Sequence, residues 1–247
     1  IPELRAAIAA TWSKQLGVAY QPSQVLVSCG AKHSLYNIFQ ALCQAGDEAL
    51  IFAPYWVSYP PLVELAGGTP KIIPTTEAQG FLPDVAALRQ ALTPQSKILV
   101  LNSPSNPTGA VLAPGRRDQL LRLAAERGII VIEDDYDHEF HYVGRPVLPL
   151  ASADKQGVVV YVGTLSKALA PGLRVGFVVA HPQIVSRLAA YRRLVDRQGD
   201  HVTERAVAEL ILDGSLGRHI RRSRRTYLRR RTTLLNALTS QFGPNLI

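Results

Sequence analysis

The sequence predicts an α/β layered fold built on a mostly parallel sheet. Three observations carry that expectation. Short β-rich runs alternate with helical patterns along most of the chain, the order of strands and covering helices in a layered fold. The apolar runs LIFA, KILVL, IIVIE and VVVYV are continuous rather than alternating, the mark of strands buried on both faces. The connections are short, and the 247 residues are 47% hydrophobic and 19% charged, an ordinary globular composition.

Residues 2–16 read as a helix, with Pro2 suited to the first turn and Gly17 to the stop. Strands follow at 25–29, 49–53, 70–74, 97–102, 129–133, 158–162 and 174–180, seven in all. Helices near 32–44, 58–66, 83–92 and 114–127 separate them. From about Pro182 the pattern is helical only: 182–198, 201–213 and 215–240, broken at Gly199 and Gly214. Residues 1–185 are therefore expected to form one large domain. Residues 186–247 would be inter-domain helices and the start of a second, truncated domain.

Several classes drop out. No apolar run approaches the roughly 20 residues of a membrane span, and no signal peptide opens the chain. Cys29 and Cys43 are too few for a disulfide scaffold or a four-thiolate zinc site, so a reducing cytoplasm is the expected compartment. The chain starts at Ile1 and has no methionine, and it is read as an internal fragment.

The net charge of +8 invites a nucleic-acid reading. Its placement argues otherwise. Residues 1–186 carry 14 basic and 14 acidic side chains, and residues 187–213 five of each. The last 34 residues hold eight arginines and no acid. There the apolar residues Leu216, Ile220, Tyr227, Leu234 and Leu238 are expected to form one buried stripe, with Arg218, Arg221, Arg222, Arg225 and Arg229 largely on other faces. An amphipathic solvated or inter-domain helix is the preferred reading, because no stacking aromatics or groove-reading motif accompany the charge.

Functional groups of such a sheet belong at the carboxyl ends of strands. Four stretches meet that test. Ser28-Cys29-Gly30-Ala31-Lys32 joins a strand to a helix, where small residues and a helix N-terminus suit an anion, although an ordinary turn would use the same residues. Asn102 to Gly109, NSPSNPTG, is a proline-fixed loop that offers the amide of Asn106. Glu133-Asp134-Asp135-Tyr136-Asp137 would be costly to bury, and reads otherwise as a solvated acidic loop or, with His138 and His141, as a weak metal site. Gly163 to Arg174, GTLSKALAPGLR, sets one lysine among hydroxyls with an arginine seven residues on. A lysine beside a phosphate grip is what a pyridoxal phosphate Schiff base requires, and a surface Ser-Lys loop is the alternative.

Together, and in this order, these motifs resemble the fold type I pyridoxal phosphate enzymes, specifically the class I/II aminotransferases. The resemblance implies a three-layer large domain with a mostly parallel seven-stranded sheet, followed by the helical start of a small domain. Residue by residue, it makes Lys167 the Schiff-base lysine and the acid/base that moves the proton between substrate Cα and cofactor C4′. Asp134 would pair with the pyridinium nitrogen, Tyr136 and Asn106 with the phenolate oxygen. Thr164, Ser166 and Arg174, with the amides of Gly30, Ala31 and Lys32, would grip the phosphate. Trp56, in APYWVSY, would stack on the pyridine face. Ala53–Pro54 and Asn106–Pro107 resemble the family's cis peptide positions. No metal is expected.

Residues 1–109 resemble bacterial aspartate aminotransferases of the I-gamma type. Residues from 114 onward resemble the aminotransferase-like domain of MocR-type regulators, of the GntR family. The expected function is amino transfer between an amino acid, with aspartate or glutamate as candidates, and a 2-oxo acid, in a homodimer. The alternative is a cofactor-binding effector domain with little turnover. The arginine that clamps the substrate α-carboxylate in this family would lie beyond Ile247, and the N-terminal arm before Ile1.

Overall fold

The structure, a computed structural model, describes residues 1–140, 142 and 148–243. Seven strands form one sheet: β1 (Val25–Ser28), β2 (Glu48–Phe52), β3 (Thr69–Ile73), β4 (Ser96–Leu101), β5 (Ile130–Asp135), β6 (Val159–Thr164) and β7 (Gly176–Val179). Their spatial order is β1-β7-β6-β5-β4-β2-β3. Neighbours run parallel except at β7, which is antiparallel to both β6 and β1. The chain leaves β3 at one edge and returns inside it as β4, so the strand order reverses beside β2 and β4. A crevice opens outside the carboxyl ends of the strands at such a reversal.

The continuous apolar runs are explained by helices on both faces. Alternate residues of each strand enter two separate cores. Leu50, Leu99, Val131, Tyr161 and Phe177 face α1 (Pro2–Leu16), α4 (Val85–Ala91), α5 (Pro114–Glu126) and α7 (His201–Leu212). Ile51, Val100, Ile132, Val160 and Val178 face α2 (Ala31–Leu42), α3 (Tyr59–Leu65) and α6 (Pro182–Val195). The result is the expected three-layer α/β arrangement. Boundaries follow local chemistry: Pro2 opens α1, Gly17 closes it in the left-handed region at φ 69°, and Asp84 caps α4 by accepting the Ala87 N–H.

Residue 185 falls inside α6, where Val185 and Leu188 are buried against the sheet. The helix α8 (Ser215–Phe242) differs from expectation. Of its stripe, Leu216 is buried and Ile220 half-buried against the core. Further along, Leu234 and Phe242 are about 60% exposed (59% and 63%), and Tyr227 meets Phe140 edge-on at 5.4 Å between ring centroids.

Candidate active site

Two glycines and one arginine fix the first corner of the site. Gly30 ends the β1–α2 turn at φ 80°, and a β carbon there would lie 2.4 Å from Arg174 Nη2. Gly176 begins β7 so close to this turn that its β carbon would meet the Gly30 carbonyl carbon at 2.4 Å and the Ala31 nitrogen at 2.5 Å. Arg174 sits just before it, in the left-handed region at φ 50°, and its Nη2 donates to the Cys29 carbonyl at 3.2 Å. A guanidinium thus lies against the N-terminus of α2, whose first N–H groups have no partner in the helix. On the adjacent β6 end, the Ser166 N–H donates to Thr164 Oγ1 at 3.1 Å, and Ser166 Oγ is buried without a partner.

Asp134 forms the opposite corner. It is the next-to-last residue of β5 and points to the α2–α3–α6 face. Its Oδ2 accepts the Tyr59 hydroxyl at 2.7 Å, and its Oδ1 is buried and unpartnered. Burial raises its pKa to about 6; the Tyr59 hydrogen bond opposes the rise, and the charges of Asp135 and Asp137 add to it. Tyr136 is pushed up to about 12, by burial first and then by Asp137 and Asp134.

Between these corners lies an open cavity of about 390 Å³, within the size range of small-molecule sites. Asp134, Tyr136 and Asn106 line it toward β4 and β5. Thr164, Ser166, Lys167 and Arg174 line it toward β6 and β7. Ala31, Lys32 and Trp56 complete it, so every sequence-predicted site residue except Gly30 is on its wall, and Gly30 lies under Arg174. Lys32 reaches it with its side chain as well, its Nζ 4.9 Å from the centre of the Trp56 ring. The Ala53–Pro54 and Asn106–Pro107 bonds are cis, as is Ser103–Pro104, which the sequence did not single out.

Three wall residues were not assigned to the site from the sequence: Pro171, Tyr59 and Asn102, of which the last two make specific contacts. Tyr59, three residues after Trp56, meets that ring edge-on at 5.5 Å. Asn102 donates from Nδ2 to the Asp134 carbonyl at 2.7 Å and accepts the Asn106 N–H at 2.6 Å, tying the β4 loop to the end of β5. Both stand inside stretches already notable, but their partners come from other elements.

The acidic run is neither a solvated loop nor, among the described residues, part of a group of three or more potential metal ligands. Glu133, Asp134 and Asp135 are all buried. Strand alternation sends Glu133 and Asp135 to the face opposite Asp134. There Glu133 accepts the N–H groups of Leu150 and Ala151 at 2.5 and 2.9 Å, and Asp135 accepts the Tyr161 hydroxyl at 2.9 Å and pairs with His138 Nδ1 at 3.0 Å. Partners on three different segments make the burial tolerable. His141 lies outside the described residues.

The model of the class I and II aminotransferase family matches residues 1–246. The aspartate/prephenate aminotransferase of Thermus thermophilus is 34% identical over 242 residues, 97% of this chain and 62% of that protein. The solved aspartate aminotransferase from Thermus thermophilus with maleate superposes with a TM-score of 0.90 at 33% identity, covering 97% of this chain and 63% of that one. The aromatic aminotransferase from Pyrococcus horikoshii OT3 gives 0.90 at 32% identity, over 98% and 65%. The chain therefore spans somewhat under two thirds of these relatives' length. The match runs unbroken through both halves, and the comparisons lend no support to the MocR-type regulator. The chain belongs to the class I and II aminotransferase family.

Proposed function

We propose that this chain is the cofactor-binding part of a pyridoxal 5′-phosphate-dependent aminotransferase that moves an amino group between an amino acid and a 2-oxo acid. One observation carries the reading: a single cavity has a lysine on its wall, a buried carboxylate at one end and an arginine over a helix N-terminus at the other. The cofactor fits what the residues leave open. Asp134 Oδ1 and Ser166 Oγ are buried polar atoms without partners, where a protonated ring nitrogen and a phosphate would supply them.

In that reading Arg174, Thr164, Ser166 and the amides of Gly30, Ala31 and Lys32 hold the phosphate. Trp56 covers one ring face, Asn106 and Tyr136 hold the phenolic oxygen, and Asp134 holds the ring nitrogen. When bound, the cofactor supplies an electron sink for the carbanion at substrate Cα. Lys167 Nζ takes the proton from that Cα and returns it at the cofactor's C4′. Asp134 keeps its charge opposite the ring nitrogen, so the nitrogen keeps its proton. Trp56 shields the ring from water.

Acidic substrates are the proposed class, Lys32 Nζ being the wall cation that the cofactor does not engage in this reading. The names of the Thermus thermophilus relative and the maleate in its solved structure point the same way. A homodimer is the expected assembly, as is common in the family. We place the sheet and the helices packed on it in the large domain, with the expected boundary at 185 moved past α6, whose Val185 and Leu188 pack on the sheet, and the passage to a small domain in α8. No helix among the described residues is long and apolar enough to cross a membrane, and the cytoplasm is the proposed compartment.

The test is spectroscopic. The cofactor-loaded full-length protein should change its visible spectrum on addition of L-aspartate or L-glutamate and recover it with a 2-oxo acid. A spectrum that shifts and does not return would overturn transamination.

A further inference from the structure

Tyr59 lies in the first turn of α3, 2% exposed, among the apolar residues of the α2–α3–α6 face. A phenol this deep needs a partner for its hydroxyl, and Asp134 Oδ2 provides it at 2.7 Å. Pro60 and Pro61 follow directly and restrict the turn, and Trp56 closes on the ring edge-on. Asn102 separately anchors the Asp134 backbone carbonyl. Two anchors thus act on one residue, leaving Oδ1 as the carboxylate atom without a partner, in a residue that lines the cavity.

We propose that Tyr59 is a positioning residue for Asp134: its hydroxyl fixes one carboxylate oxygen so that the other serves the cofactor's ring nitrogen, and its donated hydrogen bond keeps the carboxyl charged. This rests on the cofactor reading above. The charged groups around Asp134 do not do this work alone. Asp135 and Asp137, on its own segment, favour the protonated form, as burial does, and the Tyr59 bond opposes both. Tyr136, Lys167, Lys32 and Arg174 share the cavity wall from the remaining elements. Removing the Tyr59 hydroxyl leaves the rise unopposed by its one neutral donor, so the carboxyl holds its proton to higher pH.

The experiment measures pyridoxal phosphate affinity of the full-length protein by absorbance titration from about pH 6 to about pH 9. Tyr59→Phe is expected to weaken binding about tenfold near pH 7, with the gap narrowing toward the alkaline end, where Asp134 is charged in either protein. In an Asp134→Asn background the same change should alter affinity by less than about twofold. A site-specific 3-fluorotyrosine at position 59 keeps the shape and donates more strongly. It should tighten binding at the acidic end, and it gives the answer should the Phe variant not fold. Equal loss at every pH in both backgrounds, or no response to fluorination, overturns the proposal while leaving the cofactor reading intact. Wild-type protein that does not take up pyridoxal phosphate at all overturns both.

Discussion

Lys167 stands on the cavity wall in the loop between β6 and β7, exposed toward the open space. With a primary amine there, borohydride should fix the cofactor to the protein. Lys167→Ala is expected to abolish both the visible absorbance of bound cofactor and its borohydride trapping; a band that persists and can still be trapped would move the assignment to Lys32. A glycine is as telling as the lysine. At Gly176 an added β carbon meets backbone at 2.4 and 2.5 Å, not the end of a flexible side chain. Gly176→Ala should therefore push β7 from the Gly30–Ala31 turn, costing about 1–3 kcal/mol of stability and loosening cofactor phosphate binding at the same time. Normal cofactor affinity in a destabilised variant would show that the turn and the strand move independently.

At the scale of elements, α2 does two jobs. Its N-terminus faces the cavity, and its far side buries Leu35, Ile38, Phe39 and Leu42 against the sheet. Phe39→Ala is expected to cost about 3–5 kcal/mol in chemical denaturation, and cofactor affinity should fall with it because the helix that presents the anion site is no longer seated. The strands were legible in the sequence because a parallel sheet covered on both faces writes itself as unbroken apolar runs. Helix limits were legible where proline or glycine punctuates them. The chemistry was legible where one short stretch holds it, as around Lys167. Tyr59 was not, because its meaning lies in a hydrogen bond to a strand 75 residues away. Nor was the burial of Glu133 and Asp135, since adjacent acids are ordinarily solvated and their partners here come from Leu150, Ala151 and Tyr161. The α8 stripe has the right period, but what covers a stripe is not written in the helix that carries it.

For the whole molecule, those buried acids set a pH dependence. Glu133 is pushed up to about 7, by burial first and then by Asp135, against the opposing Ala151 and Leu150 N–H groups and Arg117. Its unfolded value is near the ordinary carboxylate range, about 4.3. The folded state therefore binds the extra proton between those values, and the stability it confers is complete below the unfolded pKa and lost as pH rises through the folded one. Glu133→Gln should make the melting temperature of the cofactor-free protein fall less between about pH 5 and about pH 8 than it does in wild type; parallel curves would show that Glu133 is charged throughout.

The pairing of β1 with β7 has a consequence for biosynthesis. Ser28 at the end of β1 lies in register with Gly176, and Val25 with Val179, so the two strands meet across about 150 residues of intervening chain. A nascent polypeptide carries the turn at Gly30 early and Arg174 late, and the edge strand has no neighbour until β7 emerges from the ribosome. Such a distant pairing is slow to close. The turn at Gly30 and Arg174 are thus brought together only after nearly all of the sheet exists, so under the proposed function a phosphate site would be complete only late in the synthesis of this layered body.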